Sequence, residues 1–180
     1  MIRGATQEEA EARIAERRRI NEEAEKIAGK PIHAWPPFAV KWDTHPSFYH
    51  FSQDGVDYEA LDVSNVTLMW VTLSELDAVL QAWNLRTAEE VWSIGDKRKA
   101  AKVIVHCFEG RKLSPVWVCP TAPGKLGLVG GNHRLAVARA KGETEVPIIF
   151  HDKHEPAVVS LFPARASVSR ASIIAGQLGG

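Results

Sequence analysis

The chain has 180 residues, with 22 basic and 22 acidic side chains balancing to a formal net charge of zero. That length suits one domain, or one domain with an arm, around a substantial core. Neutrality excludes whole-molecule attraction to DNA, and the lack of any apolar run near the roughly twenty residues needed to span a bilayer, with an acidic and polar N-terminus, points to a cytoplasmic protein without a transmembrane segment.

The first readable element is an N-terminal helical arm, residues 1–30. Thr6-Gln7-Glu8-Glu9 forms a capping box, and Gly29 followed by Pro31 is a stop. Between them Ala10, Ile14, Ile20, Ala24 and Ile27 make a thin apolar stripe at helical spacing, suited to packing on the body of the domain or on a partner. Residues 31–65 follow as an aromatic and proline-rich extension. Trp35-Pro36-Pro37 reads as an extended linker, and Phe48-Tyr49-His50-Phe51 pairs with residues 56–61 in a hairpin about Asp54-Gly55. Its aromatics serve either as core or as stacking surfaces for bases.

The next stretch alternates strands and helices. Val71-Thr72-Leu73 reads as a strand running into a helix capped by Ser74, with Glu75 in the first turn where it favours the helix dipole. Asp96 caps a helix over residues 97–109 that Gly110 ends. Ser114-Pro115 opens the strand Val116-Trp117-Val118-Cys119, and Pro123-Gly124 turns the chain into a strand ending at Leu126, Leu128 and Val129. After a further helix, Val146-Pro147-Ile148-Ile149-Phe150 is a buried strand. Cys107 and Cys119 stand alone, without a Cys-x-x-Cys pair, and read as small buried hydrophobes in a reducing compartment. Lys97, Arg98 and Lys99 with Lys102, and Arg111 with Lys112, are the basic clusters able to touch DNA. Each reads equally as a solvated face. Arg17-Arg18-Arg19, surrounded by acidic residues, reads rather as a solvated face than as a DNA contact. His151-Asp152-Lys153-His154 invites a metal reading, but Lys153 would repel a cation, and no metal site is assigned.

The most informative run is Gly130-Gly131-Asn132-His133-Arg134. It lies between the strand ending at Val129 and the helix-forming residues 135–140, which Gly142 can end. Two glycines permit a tight turn and close approach of backbone to ligand. Such a turn aims backbone N–H groups and the positive end of a helix dipole at one point, where an anion would sit. An Arg in the first helical turn opposes the dipole unless something negative binds there, and its guanidinium can grip a phosphate bidentately.

Taken with their order, Val71-Thr72-Leu73-Ser74-Glu75-Leu76, residues 110–118, the Gly130 to Arg134 run and Gly142-Glu143-Thr144-Glu145-Val146-Pro147 resemble the ParB/sulfiredoxin superfamily over about residues 66–151. The resemblance implies an α/β (α+β) fold, with a compact mixed sheet flanked by helices, here carrying an N-terminal helix and an aromatic hairpin extension. The nucleotide-binding core would span residues 66–165, before a flexible tail at 166–180 in which Ile173-Ile174 is either a partner-binding segment or disordered. Members bind nucleoside triphosphates with their phosphates on the helix bearing Gly-x-His-Arg or Gly-x-Arg-Arg. The implied phosphate ligands are Gly130, Gly131, Asn132, His133 and Arg134, with Lys102 (or Lys99) helping from the preceding helix.

Departures narrow the resemblance. Asn132 stands where sulfiredoxins carry a catalytic Cys, and an amide supports no sulfiredoxin chemistry. About thirty residues follow Phe150, fewer than the helix-turn-helix domain and dimerisation segment of ParB-type segregation proteins require. Among compact members the chain is most similar to plasmid fertility-inhibition factors of the Osa and FiwA type. That similarity implies ATP hydrolysis and DNA cleavage with ATP and Mg²⁺, directed against DNA leaving through a conjugation-type secretion system, with a coupling component of that system as a possible partner. His133 and Arg134 would stabilise the transferring phosphoryl group, and Glu75 would position water. The alternatives are a nucleotide-dependent kinase of a free amino acid and a non-enzymatic, nucleotide-switched module that binds DNA or protein.

Overall fold

A computed structural model describes residues 6–52, 65–93 and 95–163. The second half of the expected hairpin, with Asp54-Gly55, and the whole tail at 166–180 including Ile173-Ile174 lie outside the described residues.

The fold is the expected α+β type. Four strands, β1 (Val66–Thr72), β2 (Val116–Ala122), β3 (Lys125–Gly130) and β4 (Glu145–His151), form one mixed sheet in the order β1-β4-β2-β3. β1 and β4 are antiparallel, β4 and β2 parallel, and β2 and β3 an antiparallel hairpin. Pro123 and Gly124 turn that hairpin, with Gly124 at φ +73°. This suits a turn with Pro first and a left-handed residue second.

The sheet buries both faces, and alternation sorts its side chains between them. Met69, Val71, Val116, Val118, Ile148 and Phe150 join the main core with Leu76 and Leu80 of the α2 region and Leu135 of α4, where α2 is Leu73–Val79 and α4 is Asn132–Ala140. Val66, Leu68, Trp117 and Ile149 pack on the opposite face around Tyr49. Two covered faces explain the continuous apolar run of β4.

Beyond α4 the helices stack in further layers. Ala136 and Val137 turn away from the sheet and meet Ala100 and Ile104 of α3 (Lys97–Phe108), with Trp35 and Val91 closing the cluster. The outermost layer is α1 (Gln7–Ile27), whose Ala24 packs on Ala101 and Val105. Apolar on two sides, α4 is buried for most of its length, and its small alanines let the neighbouring layers approach. A short final helix, α5 (Glu155–Val159), adds Val158 to the main core.

Helix ends follow the sequence reading closely, with one shift. Thr6 and Glu9 make the capping box of α1, and Asp96 caps α3. α2 is capped by Thr72 rather than Ser74, because the helix starts at Leu73 and Thr72 Oγ1 reaches the Glu75 amide at 3.2 Å. The apolar stripe of α1 is only half used: Ala24 is buried, whereas Ile14 is 62 % exposed.

The aromatic extension departs further. Pro46–Ser52 is a 3₁₀ helix, not the first strand of a hairpin. Asp43 Oδ1 accepts from the His45 amide at 3.0 Å, and the Phe48 amide donates to the His45 carbonyl at 2.9 Å. A local turn bonded through Asp43 and started by Pro46 outweighs the strand preference of the aromatics. Trp35 belongs to the core rather than to a linker, and its indole N–H donates to the Lys30 carbonyl at 3.1 Å.

Candidate functional site

β3 is an edge strand, with Leu126 fully buried, Leu128 half-buried and Val129 36 % exposed. It delivers the chain directly into α4 through Gly131, which caps that helix at φ +98°. A Cβ on Gly131 would stand 3.3 Å from Val116 Cα and 3.1 Å from Arg134 Nη2. Both the backbone angle and the space therefore call for glycine. The first intrahelical bond runs from the Leu135 amide to the Gly131 carbonyl at 2.9 Å. The first turn of α4 holds no acidic residue, whereas α1 and α2 begin with glutamates.

Arg134 lies under this turn, 8 % exposed. Its Nη1 donates to the Ser114 carbonyl at 3.0 Å and to the Ser114 hydroxyl, and its Nη2 donates to the Ser52 carbonyl at 2.8 Å. The guanidinium thus ties α4 to the residue pair that opens β2 and to the end of the 3₁₀ helix. Its role in this geometry is to brace the turn from below with its positive charge. Ser52 is fully buried, and its hydroxyl has no hydrogen-bond partner among the described residues. Gly130 is buried like Gly131, while Asn132 and His133 are half-buried.

Asn132 is held by an element that no spacing in the sequence indicated. The Asn84 amide donates to Asn132 Oδ1 at 3.3 Å, and Asn84 Oδ1 accepts from the Leu128 amide at 3.2 Å. Asn84 is buried in the short 3₁₀ turn Ala82–Asn84 after α2, and it covers part of the open edge of β3. At the far end of α4, Arg139 makes a forked ion pair with Asp77 of α2. That contact too lies between distant parts of the chain.

The other expected site residues are distributed over the surface. Both hydrogen-bonding groups of Thr72 meet one Glu75 oxygen, the amide at 2.9 Å and the hydroxyl at 2.7 Å, so the carboxylate completes a capping box. Lys97 Nζ lies beside Gly29 at the end of α1. Arg98 forks onto Asp96, holding that carboxyl down at about 2, with help from the Arg98 amide. Lys99 is exposed, and half-buried Lys102 adds its charge to those bearing on Asp96. Arg111 is bonded to Glu16 at 2.7 Å and lies 3.0 Å from Glu109, which Arg19 also meets at 2.6 Å. Among the proposed DNA contacts, Lys97, Lys99 and Lys112 are exposed lysines with no acidic partner among the described residues.

The cysteines are unsuited to nucleophilic work. Burial, with Glu143 nearby, pushes the Cys107 thiol up to about 12, and burial also raises Cys119. Near the end of β4 a cleft is lined by Asn65, His151, Asp152 and Lys153, where Asp152 accepts from the Thr67 hydroxyl at 2.7 Å. Among the described residues no three His, Cys, Asp or Glu side chains converge as a metal cage. No described helix is long and apolar enough to cross a membrane. Compared with family models, with curated proteins and with solved structures, the chain matches none.

Proposed function

We propose that the Gly131 turn captures the phosphates of a nucleoside triphosphate and that the protein is an ATPase and DNase of the fertility-inhibition type. The supporting observation is the left-handed glycine that launches α4 straight from β3, above a buried guanidinium and with no acid in the first turn. Backbone N–H groups, helix dipole and the Arg134 charge all favour negative charge at that point. The resemblance to ParB/sulfiredoxin proteins supplies the nucleotide and the reaction.

In this mechanism Asn132 and His133, the half-buried residues at the entrance, hold and orient the phosphates. His133 donates to oxygens that gain charge as the phosphoryl group leaves. Arg134 acts from behind, holding the turn in place through Ser114 and Ser52. Mg²⁺ would arrive on the nucleotide and supply charge neutralisation of its phosphates; the first turn of α4 offers it no carboxylate. Glu75 is engaged in its capping box, and the water-positioning group stays unassigned. A DNA phosphodiester presents the same crowded anion to the same grip, and loss of export through a conjugation-type secretion system is the outcome the resemblance adds.

The test is an assay of the purified protein and His133→Ala with ATP, plasmid DNA and Mg²⁺, reading free phosphate and nicking together. Phosphate release and nicking by the parent, both lost in His133→Ala, are expected. Equal activity in the two proteins, or no phosphate release by either, would contradict the proposal. Transfer of phosphate to a small acceptor, with none released to water, would replace it with kinase chemistry.

A further inference from the structure

We draw no further inference here: the strongest candidate, the cleft at the end of β4 lined by Asn65, His151, Asp152 and Lys153, offers one ammonium and one carboxylate that the Thr67 hydroxyl already engages, and so selects no class of ligand.

Discussion

Gly131 and Gly110 both have positive φ, +98° and +76°, but only Gly131 has protein packed where a side chain would go. Gly131→Ala therefore combines a left-handed backbone penalty with a contact to Val116 Cα at 3.3 Å that the strand must move to relieve. Denaturant unfolding should place Gly131→Ala about 2 kcal/mol or more below the parent and Gly110→Ala about 1 kcal/mol below it. Equal losses would show that the cradle yields. Arg134→Ala should cost about 3 kcal/mol, since it strips donors from two buried carbonyls and a hydroxyl, and Arg134→Lys should recover little, because an ammonium cannot span Ser114 and Ser52 at once. A stability close to that of the parent in Arg134→Ala would contradict the bracing role. Loss of activity in an Arg134 variant thus reports on the whole turn, which makes His133 the cleaner probe of chemistry.

At the scale of elements, the docking of α1 on α3 combines a small apolar contact with a network of Glu16, Arg19, Glu109 and Arg111. Hydrogen bonds from Arg19 and then Arg111 bring the Glu16 carboxyl from its ordinary 4.5 down to about 2. A depressed carboxyl contributes stability that is full above its unfolded pKa and is lost as pH falls through the folded one, here between about 4.5 and 2. Glu16, Arg19 and Arg111 are exposed to solvent, so the contribution of Glu16 is small and salt weakens it. Glu16→Gln should therefore flatten the fall in unfolding midpoint across that pH range, and 1 M salt should narrow the difference from the parent to near zero. An identical pH profile in the two proteins would show that the network does not hold α1. At the start of α2, Glu75→Gln keeps a side chain able to close the box with Thr72 and should leave both stability and ATP hydrolysis near the parent's. A large loss of hydrolysis with unchanged stability would return Glu75 to the chemistry.

Over the whole molecule, the features legible in the sequence are those that local rules govern. Thr6 with Glu9, Asp96, Gly110, Pro123-Gly124, Gly131 and Gly142 mark element ends from a few neighbouring residues, and α1, α3, α4 and the β2–β3 hairpin lie where these marks put them. The aromatic segment misled because Asp43, His45 and Pro46 build a turn that composition alone does not announce. Three contacts had no local signal: Arg134 with Ser52, Asn84 with Asn132, and Arg139 with Asp77 span 82, 48 and 62 residues. Such pairs exist only once the sheet order and the stacking of α4 on it are known. For the same reason the basic clusters looked more available than they are, since Glu16, which bonds Arg111, comes from α1.

The claim beneath the whole account is that oxyanions bind at the start of α4, and backbone amide NMR reads it residue by residue. Titrating the ¹⁵N-labelled protein with ATP and Mg²⁺ should give the largest saturable shifts at the amides of residues 130–135. Shifts centred instead on the cleft of Asn65, His151, Asp152 and Lys153, or none at millimolar nucleotide, would contradict it.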